Sequence, residues 1–230
     1  MKLVLFDIDG TLLNSDGAGR RAIQRALVES FGTAGPEQHW FDGKTDPQIV
    51  FELMTAAGVE HGAIEARLET VFTRYVELLR DEIATPGHAP STYPGVAALL
   101  DALEAMDDVM LGLLTGNVEP GARVKLTAVG IAPGRFRVGA FGSDHAVRAE
   151  LPAIARARAM ALLGHELPGH AVAVIGDTPA DLTCGRGVGA RAFGVATGRY
   201  SEHELRAYEP VAVFADFADT AAVVRAIRDA

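Results

Sequence analysis

The sequence predicts an α/β protein: a Rossmann-like, doubly wound parallel sheet core with an inserted all-helical cap domain. Three observations carry that expectation. Short apolar runs alternate with helical patterns along most of the 230 residues. The runs are continuous rather than alternating, as strands buried on both faces of a parallel sheet require. One long segment, from Ala18 to about Ala84, breaks the rhythm with helical periodicity and no strand.

Taken in order, the first strand is Lys2–Phe6. The inserted segment follows, and its stretch Arg20–Phe31 places Ile23, Leu27 and Phe31 on one helix face. Pro47–Ala57 and Ile64–Ile83 continue the pattern with Ile49, Leu53, Leu68, Phe72, Tyr75 and Leu79. Thr85–Gly95 is dense in turn formers and reads as a linker. Beyond it, helix-like stretches over Val96–Ala105, Pro120–Val129, Glu150–Leu163, Ala180–Gly187, Glu202–Tyr208 and Ala218–Asp229 alternate with strand-like runs. Those runs are Val109–Leu114, a weaker Val138–Phe141, Ala171–Ile175, Ala192–Ala196 and Val211–Phe214. The expected division is an α/β core over 1–14 and 92–230, with the helical insertion and its linker over 15–91.

Composition narrows the function. The chain is 49% hydrophobic and 22% charged, which excludes disorder as the dominant state. Its 21 Lys and Arg against 30 Asp and Glu leave a formal charge of −9. That balance argues against nucleic-acid partners, which need an excess of cations to neutralise phosphates. A small phosphate-bearing substrate remains compatible, since one local site can oppose the global sign. Cys184 is the sole cysteine, which excludes an internal disulfide and fits a reducing compartment. The apolar run Leu3–Phe6 is too short for a signal peptide, and no run approaches the ~18 residues of a membrane span. The expectation is a cytoplasmic protein with no membrane partner; oligomeric state stays open.

The chemistry gathers at strand ends, where open α/β sheets bind ligands. Phe6-Asp7-Ile8-Asp9-Gly10-Thr11 closes the first strand, and alternation lets Asp7 and Asp9 face one way. Paired carboxylates repel unless a cation lies between them, and a magnesium ion fits that need. Thr115-Gly116-Asn117 ends the second core strand before a helix, a pattern that suits either an anion cradle or a plain helix cap. Gly176-Asp177-Thr178-Pro179-Ala180-Asp181 ends a later strand, with Asp181 about one turn into the next helix.

Together these motifs resemble the haloacid dehalogenase-like (HAD) superfamily, in its phosphatase branch, over the whole chain and in the right order. The resemblance implies that Asp7 attacks phosphorus and forms an aspartyl-phosphate. It implies that Asp9 acts as general acid and base while its backbone carbonyl binds Mg2+. It further implies that Asp177, with Asp181 acting through water or behind the ligands, completes the metal site with Asp7, and that Thr115, with Gly116 and Asn117, holds the phosphoryl oxygens. The usual motif lysine is missing. Lys125, some eight helical residues beyond Thr115, is expected about 12 Å from the strand tip and is set aside as catalytic. Arg148, before Glu150-Leu151, resembles an arginine variant of that motif, and arginine can grip two oxygens at once. Phe41-Asp42-Gly43-Lys44-Thr45-Asp46-Pro47 resembles a cap loop of phosphoglycolate phosphatase-like relatives, in which Lys44 and Thr45 face the substrate.

Other apparent motifs fail on spacing. His165 and His170 are five apart across Pro-Gly, which a zincin helix does not allow, and position twelve of an EF-hand begun at Asp7 is Ala18. Cys184 reads as a small core residue. The leading expectation is therefore Mg-dependent hydrolysis of a small phosphate monoester. A sugar phosphomutase shares all the motifs but usually carries Val where Thr11 stands. A metal-independent 2-haloacid dehalogenase lacks the second aspartate, and a phosphoaccepting signalling module is about half this length.

Overall fold

The computed structural model describes all residues, Met1–Ala230. Its elements are β1 (Lys2–Phe6), β2 (Leu13–Asn14), α1 (Ala18–Phe31), α2 (Asp46–Ala56), α3 (His61–Glu65), α4 (Leu68–Ala84), β3 (Ser91–Thr92) and α5 (Val96–Glu104). They continue with β4 (Val109–Leu114), α6 (Glu119–Ala128), β5 (Val138–Ala140), α7 (Leu151–Leu163), β6 (Val172–Gly176), α8 (Pro179–Cys184), β7 (Arg191–Val195), α9 (Glu202–Arg206), β8 (Ala212–Phe214) and α10 (Thr220–Asp229).

Six strands form one parallel sheet in the order β5-β4-β1-β6-β7-β8. β1 lies between β4 and β6, and its register pairs Phe6 with both Leu113 and Ile175. Alternation along β1 splits its apolar run between two cores. Val4 and Phe6 join Leu99, Leu103, Leu126 and Ile227 under α5, α6 and α10. Leu3 and Leu5 join Leu151, Ala155, Ala159 and Val174 under α7 on the opposite face. Covering both faces is what a continuous apolar strand needs. It also places the carboxyl ends of β1, β4 and β6 side by side, at the point where the chain order reverses. No helix is long and apolar enough to cross a membrane.

Helices α1–α4 make a separate core from Ile23, Leu27, Leu53, Ile64, Tyr75 and Leu79, with Val118 of the sheet domain inserted into it. Strictly helical spacing buries Ala22, Ile23, Ala26 and Leu27 on one face of α1. The linker departs from the expected plain coil: Ser91–Thr92 pairs antiparallel with Leu13–Asn14, a two-strand ribbon through which the chain leaves and re-enters the sheet domain. Two residues per strand are too few to show as periodicity in the sequence.

The helical unit sits down on the sheet domain through its 40–46 loop. Asp46 N–H donates to Gly116 O at 2.7 Å, and Val118 N–H donates to the Asp46 carboxylate at 2.8 Å. The Thr45 hydroxyl donates to Ala146 O at 2.6 Å. At the outer edge the Arg199 guanidinium lies 3.7 Å over the ring of Trp40, the protein's sole tryptophan, which is otherwise 61% exposed. A Cβ on Gly116 would collide with the Lys44 carbonyl, so this backbone-on-backbone approach depends on glycine. Gly116→Ala is expected to leave the fold intact by circular dichroism while lifting the loop. Acrylamide should then quench Trp40 fluorescence more strongly than in the wild type; unchanged quenching would contradict the docking geometry.

Candidate active site

Asp7, Thr115 and Asp177 each stand where a strand stops. β1 delivers Asp7, whose N–H still donates to Ile175 O at 3.0 Å. The chain then turns sharply: the N–H groups of Thr11, Leu12 and Leu13 all donate to Ile8 O. Gly10 takes a φ of +83°, and any Cβ there would strike the Asp177 carboxylate. Glycine is required on both counts. The Thr11 hydroxyl donates to Asp177 at 3.1 Å and ties the turn to the end of β6.

Asp181 is placed by a capping box. The Thr178 hydroxyl and N–H donate to its carboxylate, at 2.6 and 3.0 Å, while Asp181 N–H donates back to the Thr178 hydroxyl. One oxygen from each of Asp7, Asp177 and Asp181 falls within 4.8 Å of the others, and all three residues are buried. Arg148, buried on the one-turn helix before α7, donates through Nη2 to Asp7 at 2.9 Å and to Asp181. Burial pushes the Asp7 carboxyl up to about 7, Asp181 and Asp9 adding to the rise and Arg148 opposing it. Asp177 is driven well above the ordinary carboxylate range by burial and by Asp181 and Asp7. Three buried carboxylates against one guanidinium leave a surplus of negative charge that a cation relieves. The donors are all oxygens, which suits a hard, oxygen-preferring divalent ion such as Mg2+.

Asp9 belongs to a different cluster. Its carboxylate accepts from Lys125 Nζ at 2.6 Å, Asn117 Nδ2 at 2.8 Å and Ser15 Oγ at 3.0 Å. Burial alone would raise its pKa, but the Lys125 ammonium and these hydrogen bonds outweigh it and hold the carboxyl below its usual range. Lys125 also donates to Asn117 Oδ1 at 2.6 Å, and Asn117 Nδ2 donates to the Thr115 hydroxyl at 2.8 Å. The expected 12 Å separation of Lys125 from the site is corrected here. That figure ran the helix from Thr115, whereas α6 begins at Glu119 and the lysine side chain reaches back past its first turn.

These groups line a cavity of about 210 Å³ between the two units, bounded by Asp7, Asp9, Thr115, Gly116, Asn117, Arg148 and Asp177 from below. Lys44 also borders it, but its ammonium is paired with Glu52 and lies 3.4 Å from His39 Nε2. Thr45, expected to face substrate, is fully buried; its hydroxyl bonds Ala146 O and caps α2 by accepting from Gln48 N–H. Asp46, from the Phe41–Pro47 cap-loop motif, borders the cavity as well; so do Arg20 and Tyr75, which no motif in the sequence singled out. The sequence signal available for Lys125 was scarcity, since the chain has only three lysines. Cys184 is buried in the apolar core, and burial pushes its thiol up to about 12.

Comparison with known proteins matches residues 4–186 to the family model of haloacid dehalogenase-like hydrolases. The chain belongs to that family. It is 30% identical over 222 residues to a phosphoglycolate phosphatase of Yersinia pseudotuberculosis, spanning 94% of this chain and 90% of that one. It is 28% identical to a 5'-nucleotidase of Pseudomonas aeruginosa, over 94% and 91% of the two chains. A crystal structure described as a predicted phosphoglycolate phosphatase from Haemophilus somnus shares the fold with a TM-score of 0.69 at 22% identity, covering 97% and 98%. Within the HAD-like family this chain is a hydrolase of the phosphatase branch.

One group in this HAD-like site has a clear linkage to stability. Burial pushes the Asp46 carboxyl up to about 6, with Lys125 nearby and the Val118 N–H opposing. A carboxyl raised in the folded state favours folding fully below its unfolded pKa near 4, and that contribution is lost as pH rises through about 6. Asp46→Asn is therefore expected to gain up to about 3 kcal/mol of stability at pH 7 and nothing at pH 4. Urea unfolding at the two pH values checks both signs.

Proposed function

We propose that the protein hydrolyses a small phosphate monoester through an aspartyl-phosphate on Asp7, with Mg2+ as cofactor. The observation that carries this reading is the separation of the two motif carboxylates. Asp7 sits in the oxygen cluster braced by Arg148, while Asp9 is held apart on Lys125 and Asn117. Different surroundings for two neighbouring carboxyls support a division into nucleophile and proton carrier, and positive charge joining the oxygen cluster would favour the ionised Asp7 that attack requires.

In the first step an Asp7 carboxylate oxygen attacks phosphorus and the ester oxygen departs, taking its proton from Asp9. Water then attacks the acyl-phosphate, gives its proton to Asp9, and inorganic phosphate leaves as Asp7 is restored. The carboxylate form of Asp9, paired with Lys125, suits the second step. The first requires Asp9 to be protonated as substrate enters. Arg148 would keep Asp7 oriented for in-line attack and set its charge against the phosphoryl oxygens. Thr115, with the backbone of Gly116 and Asn117, would donate to the same oxygens. Asp7, Asp177 and the Asp9 carbonyl, with Asp181 beside or behind them, would hold Mg2+, which supplies positive charge against the transferring group.

The likeness to phosphoglycolate phosphatases over nearly the whole chain supports a short organic phosphate such as phosphoglycolate as the substrate. An intact second aspartate and an all-oxygen cluster argue against metal-independent dehalogenation.

Asp7→Asn is expected to abolish turnover of p-nitrophenyl phosphate, by at least about a thousandfold, while circular dichroism stays unchanged. Arg148→Ala should cost at least tenfold in kcat, about 1.4 kcal/mol. EDTA should inhibit, and added Mg2+ should restore the rate. Full activity of the Asp7 variant, or EDTA-resistant release of halide from a 2-haloacid, would sink the reading.

A further inference from the structure

We propose that Arg20 selects the substrate by binding a carboxylate carried on the ester's leaving group. The proposal rests on the phosphatase reading above and adds the residue that recognises the part of the substrate away from phosphorus.

Four cations border the cavity: Arg20, Lys44, Lys125 and Arg148. Three are neutralised by the protein itself. Arg148 is paired with Asp7 and Asp181, Lys125 with Asp9, and Lys44 with Glu52. Arg20, on the first turn of α1, has no carboxylate partner. Its Nη1 and Nη2 both donate to the His39 carbonyl at 3.1 Å, and its guanidinium lies 3.8 Å from the centroid of the Phe41 ring. A neutral carbonyl and an aromatic face fix the plane of the group without cancelling its charge. The result is a half-buried, pre-oriented arginine with donors to spare, a preferred partner for a planar carboxylate.

Asp7 on the sheet side and Arg20 on the helical side border the same cavity, so a molecule seated between them can meet both. With phosphorus at Asp7, the anion meeting Arg20 belongs to the leaving group beyond the ester oxygen. Ile23, Phe41 and Ile49 supply the apolar wall for the carbons of that group. The assignment moves the role expected of Lys44, in the 40–46 loop, to a residue on α1, because Lys44 is already committed to Glu52.

The test compares kcat/KM for 2-phosphoglycolate and for ethyl phosphate, which has the same ester bond and no carboxylate. The wild-type enzyme is expected to prefer phosphoglycolate by at least about thirtyfold. Arg20→Gln should collapse that ratio to within about threefold, and Arg20→Lys should recover only part of it, because an ammonium keeps the charge but not the planar fork. As a measurement on the unmodified protein, phosphonoacetate should inhibit ethyl phosphate hydrolysis at least about tenfold more strongly than ethylphosphonate. A wild-type enzyme indifferent to the carboxylate in either comparison overturns the proposal and leaves the phosphatase reading standing. So does an unchanged ratio in Arg20→Gln. Hydrolysis of neither ester would overturn the phosphatase reading itself, and the proposal with it.

Discussion

The structure turns on the concentration of like charge at the ends of β1 and β6. Asp7, Asp177 and Asp181 are buried within 4.8 Å of one another, and carboxylates so placed cost several kcal/mol unless positive charge joins them. Arg148 meets part of that demand from the third core strand's loop, bonding two of the three. Much of the surrounding architecture serves the same demand. The Gly10 turn leaves room for Asp177, the capping box aims Asp181, and the Thr11 hydroxyl ties two strand ends together. The cluster is a candidate site because the fold leaves its charge incompletely balanced.

A second arrangement joins the helical unit to the chemistry. Lys125 bonds Asp9 and Asn117 from below, while Asp46 at the start of α2 receives the Val118 N–H a few residues before that lysine. Burial of Asp46 near Lys125 places a second carboxyl within reach of the same ammonium's field. Movement of the 40–46 loop would therefore alter the electrostatic surroundings of Asp9 as well as access to the cavity. Tyr75 and Val118, packed into one apolar cluster, give the two units a shared wall behind that junction.

The fold was legible because its signals are local. Continuous apolar runs mark β1, β4 and β6, and helical spacing marks α1 and α2, each to within a residue or two at the ends; the stretch read as one helix over Ile64–Ile83 breaks at Ala66–Arg67 into α3 and α4. The three motif segments were legible too, because each combines a strand end with a residue type whose chemistry is distinctive. What escaped depended on side chains meeting across the fold. Lys125 looked distant when measured along a helix and proved close when measured through space. Thr45 looked available and proved to be a helix cap bonded to Ala146, a partner 101 residues away.

By itself the sequence determined an acidic α/β chain with a helical insertion and aspartates at the strand ends, and its residues 4–186 match the haloacid dehalogenase-like hydrolases. Periodicity and residue chemistry suffice for that, since each is written in a short window. Only the tertiary structure decided how charges pair: Arg148 with Asp7 and Asp181, Lys125 with Asp9, Lys44 with Glu52, and Arg20 with no carboxylate at all. Pairing is a property of distance in space, and in a doubly wound sheet residues far apart in sequence meet at the strand ends.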